Sequence, residues 1–363
     1  MEKIKQKKTG KPDRILLAAV LVLTVSGLVI LFSASSYNGS VRFGDPAYYF
    51  KKQLFAAALG LLAMYGVSRI DYHFFLSLAP WAYLLSLILS TAVLFAGQEI
   101  NGSRRWLSLG PLSFQPSEFA KAAVILFLAW QIGRTKGDTS HIWIMCRTML
   151  TLFPVVGLVG SNNLSTAVII LGTGGLLIFV SNPRYLPFVG MGAAAAAFIT
   201  VFLAAESYRL ERLAIWRDPE KYEKGFQTIQ GLYAIGSGGL FGRGLGSSLQ
   251  KLGFVPEAQN DMIFSVICEE LGLAGAGCLL MVFALLLWRL CVNASRCRDL
   301  EGALICAGIM GHLAIQVILN IAVVTNTIPN TGITLPFISY GGTSVVFLLA
   351  EMGLALSVSS SRK

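Results

Sequence analysis

Residues 255–272 read VPEAQNDMIFSVICEELG and hold four carboxylates: Glu257, Asp261, Glu269 and Glu270. Only 13% of the chain is charged, so this crowding asks for a reason. Glu257 and Asp261 stand four residues apart, and Asp261, Ser265 and Glu269 share one helical face. A carboxylate here can take a proton from a hydroxyl or cap the helix that opens at Met262. Glu269 and Glu270 lie about 12–13 Å further along that helix, at the helical rise per residue. An unpaired acid at that depth in a membrane is costly. The spacing therefore describes a polar cleft running from the outer surface into the bilayer, suited to a substrate with a polar head and a lipid tail.

Two further stretches carry chemistry. In NGSRRWLSLGPLSFQPSEFAK, Pro116 suits the first position of a helix and Glu118 its positive end. Lys121 opposes the helix dipole, so a lysine entering the membrane here is a functional candidate with Glu118, three residues back, as its partner. In NTIPNTGITLPFISYGGTS, residues 326–344, prolines, glycines and hydroxyls interrupt apolar sequence. Non-helical backbone at that depth is tolerated only inside protein or beside a cavity. The run FQTIQGLYAIGSGGLFGRGLG lacks the order of a phosphate-binding P-loop and of a dinucleotide fingerprint. No H-E-x-x-H, EF-hand or Cys/His cluster occurs, so no permanent structural metal is expected. The six cysteines read as small packing residues.

The elements that must position these residues are membrane helices. The chain has 363 residues, is 55% hydrophobic and has a mean hydropathy of +0.66. A bilayer core is spanned by about 20 apolar residues. Ten such blocks occur, at roughly 15–33, 53–69, 74–96, 116–133, 142–160, 164–181, 185–204, 264–292, 302–325 and 337–358. The expected fold is all-α: a polytopic membrane protein with ten transmembrane helices and a large extracytoplasmic loop, 205–261, between helices 7 and 8. Short helices at the membrane surface are expected in that loop. The basic tail 1–14 and the end 359–363 are placed in the cytoplasm by the positive-inside rule, which also accounts for the net charge of +10 without nucleic acid. Arg104 and Arg105 fall outside, against that rule. The three histidines, His73, His141 and His312, fall elsewhere, so an outside general base must be a carboxylate.

These motifs resemble the SEDS family, the FtsW, RodA and SpoVE proteins, along nearly the whole chain. The likeness is densest at GFQTIQGLYAIGSGGLFGRGLGSSLQKLGFVPEAQNDMIFSVICEELG, RRWLSLGPLSFQPSEFAK and LPFISYGGTS. It implies a bacterial plasma-membrane peptidoglycan glycosyltransferase that polymerises lipid II for septal or spore wall, beside a class B penicillin-binding protein in the divisome or a related cell-wall complex. It also implies that Asp261 is the essential acid. Where many relatives read QPDLGT this chain reads SNNLST, with Asn162 and Asn163 at the Pro and Asp positions. Gln259 and Asn260 likewise replace a common His and Thr, and Ala258 points toward FtsW or SpoVE.

The implied reaction makes a β-1,4 linkage from an α-linked donor, so one inverting displacement suffices. Asp261 would take the acceptor proton, with Glu257 next in line. Lys121, Arg105, Arg243 and Lys251 are the candidates for the undecaprenyl diphosphate, with Glu118, Glu257, Ser339, Gly341, Gly342 and Ser344 also at the substrate. No tightly bound cofactor is expected; a transient magnesium or manganese ion would bridge Asp261 and the diphosphate. The competing reading is a lipid II flippase. That function would need ionisable residues through the membrane, and Glu351 and His312 are the only deeper ones.

Overall fold

The computed structural model describes residues 12–100, 103–109, 112–135, 142–181, single positions between 190 and 200, and 207–361. Eleven helices are labelled here in chain order: α1 Arg14–Phe43, α2 Tyr48–Arg69, α3 Tyr72–Ala96, α4 Pro116–Arg134, α5 Ile142–Asn162, α6 Leu164–Ser181, α7 Ser207–Arg217, α8 Phe226–Gly238, α9 Ile263–Ser295, α10 Leu300–Val324 and α11 Gly342–Ser359. Among the described residues, α1, α3, α6, α9, α10 and α11 are long and apolar enough to cross a membrane. The seventh apolar block, 185–204, lies largely outside the described residues.

The helices begin and end where local chemistry dictates. Asp13 caps α1 through the amides of Ile15 and Leu16, and Gly44 closes it at φ 69°. Asp13 also pairs with Arg289 at 2.7 Å, and its amide donates to Ser359 Oγ, so the start of α1, the far part of α9 and the end of α11 meet. α2 packs along α11, α3 on α4, α9 on α8 and α10, and α10 on α4 and α6. A Cβ on Gly60 would sit 2.6 Å from Leu349, and one on Gly353 2.7 Å from the Met64 carbonyl, so these glycines set how closely α2 approaches α11.

Three expectations need correction. The fold is helical but not all-α: Gln98–Ile100, Ser103–Leu109 and Leu112–Phe114 form strands β1, β2 and β3 of an antiparallel sheet. In the register, Trp106 of β2 stands opposite Gln98 of β1 and Leu107 opposite Phe114 of β3. Second, the last block is not helical from its start, because α11 begins only at Gly342. Third, Asp261 does not cap α9: Met262 holds the cap position, with no side-chain hydrogen bond. The expected short helices in 205–261 are present as α7, α8 and two single 3-10 turns between them.

Candidate active site

Asp261 sits just before α9, and the residue is 7% exposed. Its backbone is fixed from inside the membrane domain: Asn320 on α10 donates one amide to the Asp261 carbonyl (2.9 Å) and another to that of Ile333 (2.7 Å). The side chain is left available. Oδ1 is buried without a hydrogen-bond partner, and a Cβ on Gly332 would stand 4.0 Å from Oδ2. Burial, and after it the charge of Glu257, push this carboxyl up to about 7; nearby backbone amides and Arg212 pull it back. Glu257 adopts φ 55° and accepts from Asn260 Nδ2.

Glu269 and Glu270 answer the question of depth, and not as site residues. α9 breaks at Gly272, at φ 68° and ψ −175°, a conformation that suits glycine. The carbonyls of Glu269 and Glu270 accept from the amides of Arg243 (3.0 Å) and Gly244 (2.9 Å). In return, Leu273 and Ala274 donate to the carbonyls of Gly239 and Leu240, both at 2.9 Å. The Glu269 side chain accepts from Ser248 Oγ and the amides of Leu249 and Gln250. Glu270 binds Lys251 Nζ at 2.6 Å and Ser33 Oγ at 2.7 Å. These two acids clamp the glycine-rich loop onto α9.

Lys251 is thereby withdrawn from the diphosphate candidates: its ammonium is buried and also held by Ser33 and the Gly246 carbonyl. Lys251→Met is expected to cost about 3–5 kcal/mol of stability, because Glu270 is left charged and unpaired. Lys251→Met combined with Glu270→Leu should recover most of that. Thermal unfolding of the purified protein measures both. Arg243 remains a candidate, 38% exposed at its side chain and 3.4 Å from Glu269.

The second cluster lies between α4, α10 and α11. Lys121 Nζ pairs with Glu118 at 3.0 Å, as its spacing predicts, and donates to Gln316 Oε1 at 3.1 Å. Both charged residues are buried, and Glu118 also interacts with Ser344. Two of the three lysine N–H donors are used in this way.

The stretch 334–344 is a staple. Ser339 Oγ accepts from the Leu335 amide and donates to the Asn260 carbonyl (2.7 Å), and the Tyr340 amide donates to the Gln259 carbonyl (2.9 Å). Gln53 bonds both the Ser339 carbonyl and the Gly341 amide. Ser339 is thus buried support for Asp261 and not a substrate contact. Gly341 and Gly342 form the start of α11. Arg105 Nε donates to the Asn162 carbonyl at 3.1 Å, joining β2 to the end of α5.

The model of the FtsW, RodA and SpoVE family, described as cell cycle protein, matches residues 13–363. The chain belongs to this family. It is 38% identical to Stage V sporulation protein E of Bacillus subtilis (strain 168), over 97% of this chain and 98% of that protein. It is 35% identical to the probable peptidoglycan glycosyltransferase FtsW of Trichlorobacter lovleyi, over 97% and 94%. Among solved structures, it matches a chain of a peptidoglycan synthase complex described for coordinating polymerization and crosslinking. The TM-score there is 0.81 at 33% identity, over 97% of this chain and 98% of that one. The rod shape determining protein RodA of Thermus thermophilus matches at TM-score 0.73 and 32% identity, over 97% of each chain.

Within this FtsW/RodA/SpoVE frame, the departure at Asn162-Asn163 has a local structural role. Asn163 Oδ1 accepts from the Thr166 amide in the first turn of α6, as an aspartate there would. The sequence reading missed Arg212 on α7, whose field reaches Asp261 and which donates to the Asn330 carbonyl at 3.1 Å. It also missed Gln316 and Asn320. Their spacing of four after His312 on an apolar helix is the signal that would have found them.

Proposed function

We propose that this protein is a peptidoglycan glycosyltransferase that polymerises lipid II by one inverting displacement. Asp261 is the base, and undecaprenyl diphosphate leaves. The observation that carries this is the Asp261 carboxyl: buried, unbonded at Oδ1, raised to about 7, and anchored by its backbone to α10. A base tuned near the working pH is the best compromise between being ionised and accepting a proton. The acceptor hydroxyl gives its proton to Asp261 while its oxygen bonds the anomeric carbon, which releases the diphosphate. Lys121, Arg243, Arg105 and Arg212 are the cations proposed to meet the developing charge. A magnesium or manganese ion fits this donor set, since such ions use one or two carboxylates together with substrate phosphates. Asp261 would hold it, and it would supply charge for the leaving diphosphate. Incubating the purified protein with lipid II, alone and with a class B penicillin-binding protein, tests the reading by the appearance of glycan chains.

The proposed membrane arrangement keeps ten crossings, with 205–261 outside and both termini in the cytoplasm. Ser248 is buried, so labelling belongs at exposed positions such as Lys221 and Leu249. In a cysteine-free background, Lys221→Cys and Leu249→Cys should react with an impermeant maleimide in cells whose outer barrier admits it. Ser295→Cys should react only after lysis, and the opposite pattern would invert the topology.

A further inference from the structure

α10 carries His312, Gln316 and Asn320 at intervals of four, hence on one face, and all three are buried. Asn320 holds the backbone of Asp261. The other two lie behind Lys121. Gln316 Nε2 donates to the Thr334 carbonyl at 3.0 Å, and its Oε1 receives Lys121 Nζ. A lysine only donates and a carbonyl only accepts, so the amide has one orientation. Oε1 also faces His312 Nε2 at 3.0 Å, so that nitrogen must carry a proton. The other ring nitrogen, Nδ1, stands 2.9 Å from Glu351 Oε2 on α11. The second oxygen of Glu351 is buried with no partner. Both imidazole nitrogens are therefore engaged by protein, and nothing is left on His312 to touch a substrate.

We propose that His312, oriented by Glu351, is a positioning residue that holds Gln316 and through it sets where the Lys121 ammonium stands. The chain of contacts crosses three helices: Glu351 on α11, His312 and Gln316 on α10, Lys121 on α4. Nε2 carries the proton that faces Gln316, and Nδ1 and the Glu351 carboxyl share a second proton, so the carboxyl group fixes the orientation of the ring and through it that of a third group. Gln316 is short of room to adjust, because its amide is also tied to the Thr334 carbonyl at the start of the staple. Loss of the imidazole frees Oε1 from one of its two donors and lets Lys121 drift toward Glu118. This rests on the reading that Lys121 serves the donor diphosphate.

The test uses full-length protein with its class B partner, assayed on lipid II. Displacement of a reacting group by about 1 Å can cost about 10²-fold. His312→Leu combined with Glu351→Leu is expected to lower kcat by about 10–100-fold with little change in KM, while Tm stays within a few degrees. His312→Leu alone strands the buried Glu351 carboxyl and should lower Tm as well as kcat. Glu351→Gln should keep most activity, since its amide N–H can donate to Nδ1 and leave the Nε2 proton on Gln316. Glu351→Leu should fall toward His312→Leu. If wild type makes no glycan, the polymerase reading fails. If wild type is active and His312→Leu matches it, the positioning role alone fails. Equal loss in Glu351→Gln and Glu351→Leu would also overturn it, because the carboxyl would then be needed for proton exchange and not for orientation.

Discussion

Asp261→Asn should abolish glycan formation, lowering the rate by about 10²–10⁴-fold, because the amide cannot take the acceptor proton. The same change should raise thermal stability at about pH 8. The folded carboxyl titrates near 7 against 3.8 for an unperturbed aspartate. Below the lower value both states are protonated and there is no penalty. Between the two values the unfolded chain releases its proton first, so stability falls as pH rises, and above about 7 the penalty is constant. The Asn variant lacks it, so its advantage in Tm should fade as the pH drops toward 4. Wild-type polymerisation should decline below pH about 7, with Asp261→Glu as the control for reach. A flippase removes no proton from a sugar, so transport of labelled lipid II by Asp261→Asn liposomes would favour that alternative. Near wild-type glycan synthesis by the variant would move the base to Glu257.

Removing Lys121 should be the second most damaging change, costing about 10²–10³-fold in kcat for one lost electrostatic contact to the leaving group. The ion pair dictates how to make it. Lys121→Met alone strands a buried carboxylate on Glu118 and should unfold more easily, by about 3–5 kcal/mol. Lys121→Met with Glu118→Gln removes both charges, and this double variant should melt close to wild type while remaining inactive on lipid II. A double variant that polymerises normally would make the pair a structural feature.

What could be read from the sequence was local. Apolar runs gave most of the helices, and the three-residue spacing of Glu118 and Lys121 gave their pair. Asp261 stood out because it precedes an apolar helix and matches a family motif. What escaped was set by contacts between distant segments. Lys251 meets Glu270 across 19 residues, Asn320 meets Asp261 across 59, and Ser339 meets Asn260 across 79. A lysine promised to a substrate and one promised to a buried glutamate look alike until the fold brings the glutamate in. The sheet at 98–114 was missed because its strands are short and lie between strong helical signals.

The loop that follows α8 is fastened to the broken turn of α9 by main-chain bonds as well as by the Glu269 and Glu270 side chains, with Gly242 and Gly272 back to back: a Cβ on either would lie within 2.3 Å of backbone atoms. Amide and carbonyl are the same in every residue, so the main-chain part of this joint places little demand on the outward side chains beside it. Leu240, Phe241, Leu245 and Leu249 all point outward. The joint therefore has no room for a side chain at Gly242 or Gly272, while the outward side chains beside them take no part in it. The surface presented here can change in chemistry while the backbone joint beneath it stays as it is.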